Sequence, residues 1–99
     1  MRVSLYMINI WNINTEQDAL DVVKSLGTIT TETLGISNPY RKRKVMKQLE
    51  SKMEMVRSHC FINKWQKPLD EMKQYFDIMR EAKDSEERLS SQLWEIARR

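Results

Sequence analysis

Glycine and proline are scarce in this chain of 99 residues, which contains two of each. Sandwiches, barrels and phosphate-binding loops need many such residues for their turns, so the scarcity argues against all-β folds and favours long helices. Neither a GxGxxG nor a GxxxxGK[ST] pattern occurs, which argues against a nucleotide-binding loop. The length suits one domain, over residues 1–99, and is too small for a two-domain enzyme.

Histidine and cysteine occur once each, as the neighbours His59 and Cys60. One cysteine excludes an intramolecular disulfide, and a zinc site with paired ligands cannot form within one chain. Neighbouring helical residues point about 100° apart, so His59 cannot activate the Cys60 thiol, which falls on an apolar face. We therefore expect a buried thiol, no metal, no cofactor and no enzymatic activity.

Long apolar runs are also missing, since none approaches the roughly 20 residues of a membrane span. The first residues lack the small-residue cleavage site of a signal peptide. The 40% of apolar residues is nevertheless too high for a chain that is disordered throughout. We expect a soluble intracellular protein of the cytoplasm or nucleus, without a membrane partner.

The N-terminal part of the chain is compatible with either an α/β or a helical segment. Val3–Trp11 is an apolar run whose composition and length favour a strand over a helix. Thr15 is a suitable N-cap for a short helix over about Glu16–Leu26, with Gly27 as its stop. Thr28–Leu34 is rich in β-branched residues and fits either a second strand or a further helical turn.

The rest of the chain, residues 39–99, predicts a helical hairpin. Asn38 and Pro39 form a helix start, and the next breaker is Pro68, after which a second helix restarts. Whether that second helix breaks near Asp84 stays open.

We therefore predict a mainly α fold. It consists of a long hairpin, with helices at about 39–64 and 68–97, preceded by a small segment over 1–38. One or two short strands in that segment give the α+β alternative.

Both arms of the hairpin carry an apolar stripe with the 3-4 spacing of a coiled-coil seam, which we predict to be a protein interface. Two narrow seams leave the flanks of such long helices uncovered, so we expect a homo-oligomer, with a dimer favoured. Leu89 and Ile96 continue the spacing around Leu93. The predicted interface residues are Met46, Leu49, Met53, Val56, Trp65, Leu69, Met72, Phe76, Met79, Leu93 and Trp94.

Positive charge is concentrated on the first arm. Residues 41–67 hold nine Lys or Arg against two carboxylates, whereas residues 1–40 and 68–99 are each net negative. Cations in the first turns oppose the helix dipole by roughly 0.3–1 kcal/mol each, and a bound anion compensates for this. We predict backbone contacts to nucleic acid, RNA or DNA, with low sequence specificity. The predicted contact residues are Arg41, Lys42, Arg43, Lys44 and Lys47, with Lys52 and Arg57 as outlying contacts.

Two other interpretations of the same charge stay open. The basic helix is either a solvated surface or the orienting patch of a regulatory or accessory protein, of the kind that viruses and phages encode. Such a protein would bind a larger protein partner through its amphipathic helices.

Overall fold

A computed structural model describes the backbone of residues 12–98 and the side chains of residues 12–85. It contains three helices, α1 (Glu16–Leu34), α2 (Pro39–Ile62) and α3 (Gln66–Arg98), and each helix packs against the other two. No strand occurs in these residues. The mainly α class is therefore confirmed.

The helix α1 is longer than predicted, because it passes through Gly27 and ends at Leu34. The predicted stop at Gly27 is wrong. This glycine is buried within the helix, and a Cβ built on it would overlap the ring of Tyr75 in α3. The position needs the absence of a side chain for close packing, not the left-handed backbone of a helix stop. At the start of α1, the Thr15 hydroxyl accepts a hydrogen bond from the N–H of Asp18 at 3.1 Å, as an N-cap does.

The threonine-rich segment 28–34 belongs to α1, so the alternative of a second strand is wrong. Each of its four threonines donates its hydroxyl hydrogen to the carbonyl oxygen four residues earlier. The Thr30 bond is 2.8 Å long and the Thr33 bond 2.6 Å, which satisfies both hydroxyls where they are buried. The predicted strand over Val3–Trp11 lies outside the described residues.

The helix α2 begins at Pro39, as predicted. The Asn38 Oδ1 atom accepts hydrogen bonds from the N–H groups of Tyr40 and Arg41, at 3.0 and 3.2 Å. The helix ends at Ile62, and a left-handed residue, Lys64 with φ 59°, lies in the turn into α3.

The helix α3 begins at Gln66, two residues before the predicted start at Pro68, and the interruption between α2 and α3 falls at residues 63–65. The expectation that Pro68 itself breaks the helix is wrong. Pro68 is the third residue of the helix, where the missing N–H would have no intrahelical partner and the proline is tolerated. From there α3 continues through Asp84 to Arg98 without a break. Of the two alternatives for this arm, the continuous helix is the one observed.

The hydrophobic core lies where the three helices meet, and α1 contributes to it as fully as the two long helices do. The prediction of a hairpin with a small N-terminal segment did not include this third partner. Trp65, expected in the core, is half-buried and packs against it. The buried apolar residues of the three helices are Ala19, Val23, Leu26, Leu49, Met53, Val56, Cys60, Met72 and Met79.

Candidate functional site

The N-terminal half of α2 presents cations on the side of the helix that faces away from the core. At 100° per residue, positions 43, 44 and 47 lie opposite the buried Leu49 and Met53. Arg43, Lys44 and Lys47 are all exposed, and we refer to these three residues as the basic face. Residues of this type and spacing can contact neighbouring phosphates of a nucleic-acid backbone.

The other predicted contact residues surround the basic face less closely. Arg41 is exposed, whereas Lys42 and Lys52 are half-buried. Arg57 forms an ion pair with Glu54, and its guanidinium carbon lies 4.9 Å from the centre of the Phe76 ring. The structure therefore holds Arg57 against α3, about 15 Å along the helix from Lys47 at about 1.5 Å per residue.

Electrostatically, the first turn of α2 contains no acidic residue. Within residues 12–85, no hydrogen bond or ion pair engages the side chains of Arg41, Lys44 or Lys47. No described carboxylate therefore neutralises the positive charge of these three side chains. Tyr40 is 76% exposed beside them and offers a ring for stacking against a base.

The backbone amides at the start of α2 are less accessible than the sequence argument assumed. From the sequence, unpaired amides and clustered cations are expected to bind one anion together. Two of the amides, those of Tyr40 and Arg41, already donate to the Asn38 side chain. An anion bound at this end would therefore be held by side chains, and the helix terminus would add only its dipole.

The surroundings of His59 and Cys60 indicate a role in packing rather than in chemistry. The Nε2 atom of His59 lies 3.0 Å from the carbonyl oxygen of Ile13, and its ring packs edge-on against Trp65 with centres 5.5 Å apart. Cys60 is buried, as predicted, and burial together with the nearby Glu16 carboxylate raises the pKa of its thiol to about 11. Such a thiol is protonated and unreactive at neutral pH. No cluster of three potential metal ligands occurs in the part of the chain that the structure describes.

Most of the predicted interface residues belong to the core of the single chain. Leu93 and Trp94 lie in the part of α3 whose side chains are not described. Four others, Met46, Trp65, Leu69 and Phe76, are half-buried and pack against the core. The fully covered ones are Leu49, Met53, Val56, Met72 and Met79.

An apolar surface that the sequence argument missed lies at the C-terminal end of α2. Phe61 and Ile62 are 75% and 76% exposed, and Met55 is 43% exposed nearly two turns earlier. The signal was present in the sequence, because two adjacent large apolar residues fall outside the seam spacing just before a turn. Exposed aromatic and aliphatic residues are common in protein interfaces.

Between α2 and α3 runs an open groove with a volume of about 730 Å³. Leu69, Met72 and Phe76 contribute apolar surface to it, and charged residues of both signs surround them. Because acidic and basic residues both line it, the groove has none of the concentrated positive field of the basic face.

The chain matches no protein-family model, no curated protein and no solved structure. Among the described residues, none of the helices combines the length and the apolar character that crossing a membrane requires.

Proposed function

We propose that the chain is a small nucleic-acid-binding protein that contacts the phosphate backbone through the basic face of α2, with low sequence specificity. The observation that carries this proposal is the exposure of Arg43, Lys44 and Lys47 on one side of a helix whose first turn holds no carboxylate. The proposed activity is binding alone, without catalysis or a cofactor. Lys42, Lys52 and Arg57 contribute to the surrounding field rather than to the central contact.

Low specificity follows from the kinds of side chain on this face. Lysine donates to phosphate oxygens as a point charge, and such contacts position a protein on a strand without discriminating between bases. Tyr40 adds stacking, which tolerates every base because each has a π face. We therefore expect RNA and DNA of equal length to bind with similar affinity.

The test is a binding titration of a labelled duplex and a labelled single strand at several salt concentrations. The variant Lys44→Glu/Lys47→Glu removes two contacts and places two carboxylates opposite the phosphates. Each phosphate contact contributes about 0.9 to the slope of log affinity against log salt. We expect binding at low salt to be lost in the variant, and the slope to fall by about 2 if residual binding is measurable.

A matched control is Lys24→Glu/Lys67→Glu. Both lysines are exposed and lie away from the basic face, on α1 and at the start of α3. The net charge changes by the same amount in both double variants, so a general charge effect would weaken them equally. Unchanged affinity in Lys44→Glu/Lys47→Glu, or equal loss in the control, would contradict the proposal.

The second candidate function is that of a regulatory or accessory protein that binds a larger protein. The observation that favours it is the exposure of Phe61 and Ile62 at the end of α2. In this case a complex with a protein partner depends on these two residues and changes little with salt. Loss of that complex in Phe61→Ser/Ile62→Ser, with no binding of nucleic acid at any salt concentration, would select this function over the first.

A further inference from the structure

Tyr40 is an exposed aromatic residue at the start of α2 whose side chain takes no part in the fold. The side chain is 76% exposed, although its ring is large and mostly apolar. Within residues 12–85, no hydrogen bond or ring contact engages this side chain, whereas the backbone N–H of the same residue donates to Asn38 Oδ1. The packing of the three helices therefore gives no reason for a tyrosine at this position.

The Tyr40 side chain lies within the basic face. At 100° per residue, Lys44 lies about 40° to one side of Tyr40 around the helix axis, and Lys47 lies about 20° to the other side. Along the axis the two lysines follow at about 6 and 10 Å, at about 1.5 Å per residue. The ring and the two ammonium groups therefore share the surface of α2 that lies opposite the buried Leu49.

The spacing of these three side chains fits a single strand of nucleic acid. Successive nucleotides of one strand advance by about 3.4 Å, so the distance from Tyr40 to Lys47 corresponds to about three nucleotide steps. When one base stacks on the Tyr40 ring, the phosphates that follow it come within reach of Lys44 and then of Lys47. Aromatic rings next to a short row of cations are the usual means by which proteins bind single strands.

The same arrangement is less suited to a duplex. Both faces of a base in a double helix are covered by the neighbouring base pairs, so a tyrosine ring can stack on a base only after that base is unstacked, at a cost in free energy. The cationic surface is also short, because Glu50 is exposed three residues after Lys47. A stiff duplex that lies along α2 would bring phosphates close to this carboxylate, whereas a flexible strand can turn away from it.

We propose that Tyr40 and the basic face form a site for single-stranded nucleic acid, in which one base stacks on the Tyr40 ring and the following phosphates contact Lys44 and Lys47. This inference rests on the proposed function and narrows it to one class of ligand. Phosphate contacts alone would favour the duplex, which has the higher charge density. The stacked base reverses that preference, because salt does not screen stacking.

The first test compares a labelled single strand with a duplex of the same length, at low salt and at about 0.15 M salt. Added salt weakens the phosphate contacts of both ligands and leaves the stacking in place. At the higher salt concentration we expect the wild-type chain to bind the single strand about 10-fold more tightly than the duplex. Equal affinities, or a higher affinity for the duplex, would overturn the inference.

The second test assigns the preference to the ring. Tyr40→Leu keeps an exposed apolar side chain and removes the aromatic face, whereas Tyr40→Phe, the matched control, keeps that face. We expect Tyr40→Leu to weaken single-strand binding about 10-fold with an unchanged salt slope, and Tyr40→Phe to bind as the wild-type chain does. Circular dichroism should show the same helix content in both variants, because the side chain is exposed.

A strand of the same length without bases separates stacking from charge. Its phosphates are unchanged, so the wild-type chain should bind it as weakly as Tyr40→Leu binds the strand that carries bases. Tyr40→Leu should bind both strands equally, since the ring and the base contribute only together. A further loss of affinity for the strand without bases in Tyr40→Leu would mean that Tyr40 acts otherwise than by stacking, and would overturn the inference.

Failure of this inference is distinguishable from failure of the proposed function. If the wild-type chain binds neither ligand at low salt, both are contradicted. If Lys44→Glu/Lys47→Glu abolishes binding while Tyr40→Leu leaves the affinity for the single strand unchanged, the proposed function stands and the stacking site does not.

Discussion

The helix α2 has two faces whose surroundings differ completely. Leu49, Met53 and Val56 are fully buried between α1 and α3, whereas Lys44 and Lys47 are exposed and engage no other described side chain. Contacts from two other helices fix the inner face, so substitutions there change the folding free energy. The outer face determines the electric field around the chain and contributes little to the fold. Stability and surface charge can therefore be changed separately in this helix.

The strongest test of this separation is a pair of truncations on the two faces. Leu49→Ala leaves a cavity at a position with no exposed surface and should lower the free energy of unfolding by about 2–5 kcal/mol. Ser51→Ala, on the exposed side two residues later, should change it by less than about 0.5 kcal/mol. Denaturant unfolding followed by circular dichroism measures both. Equal effects would show that the outer face is covered in solution.

A smaller loss in the free energy of unfolding is expected at Gly27, where α1 approaches the Tyr75 ring of α3 most closely. Gly27→Ala forces the Tyr75 ring to move, which costs about 1–3 kcal/mol, while alanine recovers up to about 1 kcal/mol of helix propensity. We expect a net loss of about 1–2 kcal/mol in the free energy of unfolding.

The matched control is Gly35→Ala, at the end of α1. A Cβ there would have Glu32 O as its nearest neighbour, at 3.4 Å, which is an ordinary contact. This change should stay within about 0.5 kcal/mol. If Gly27→Ala is as mild as Gly35→Ala, the close approach of α1 to α3 is not tight in solution.

The Asn38 cap at the start of α2 is expected to contribute a further, smaller amount to the free energy of unfolding. Asn38→Ala leaves the N–H groups of Tyr40 and Arg41 without their side-chain acceptor and should cost about 1 kcal/mol. Thermal unfolding measures the loss, and Asn38→Asp, which keeps the acceptor and adds a negative charge at the helix start, should not show it. Equal melting temperatures for Asn38→Ala and the wild-type chain would contradict the role of the cap.

The effect that is smallest at neutral pH is a pH dependence from the inner face, which appears only above the ordinary thiol pKa of 9.0. The pKa of the Cys60 thiol is raised from 9.0 to about 11 in the folded chain. The unfolded chain therefore loses this proton first, so stability is complete below pH 9 and falls as the pH rises toward 11. Burial and the Glu71 carboxylate also raise the pKa of the Tyr75 hydroxyl, which adds a loss of the same sign.

The measurement is the free energy of unfolding as a function of pH above 7, for the wild-type chain and for Cys60→Ala. The variant has a lower stability at all pH values because of its cavity, but its curve should fall less steeply above pH 9. Parallel curves would mean that Cys60 ionises in the folded chain as readily as in the unfolded one.

Local signals were sufficient to predict several parts of this fold. Thr15 and Asn38 are N-caps by the chemistry of their own side chains, and the spacing from Leu49 to Cys60 predicts the buried face of α2. The same arithmetic places positions 43, 44 and 47 on the opposite side, where they are exposed.

The errors arise where the decisive neighbour is distant in sequence. Gly27 is a helix stop by local rules, and only the Tyr75 ring from α3 explains why the helix continues through it. The contact of Arg57 with the Phe76 ring of α3 has the same origin, because nothing near Arg57 in the sequence indicates it, whereas the prediction of Arg57 as an outlying phosphate contact stays a prediction. Pro68 is different, since the tolerance of a first helical turn for proline is a local rule that also allows a start at Gln66.

The composition of the second half of α1, residues 27–34, has a consequence for the order in which parts of the molecule unfold. Gly27 and the four threonines that follow have low intrinsic helix propensity, together roughly 2–4 kcal/mol worse than alanine. This half is therefore helical because α2 and α3 cover it, whereas the first half has a capped start and stronger helix formers. Residues 27–34 should lose their helix cooperatively whenever α3 detaches. Their backbone amides then exchange with solvent hydrogen as a single unit, ahead of the amides near Ala19 and Val23.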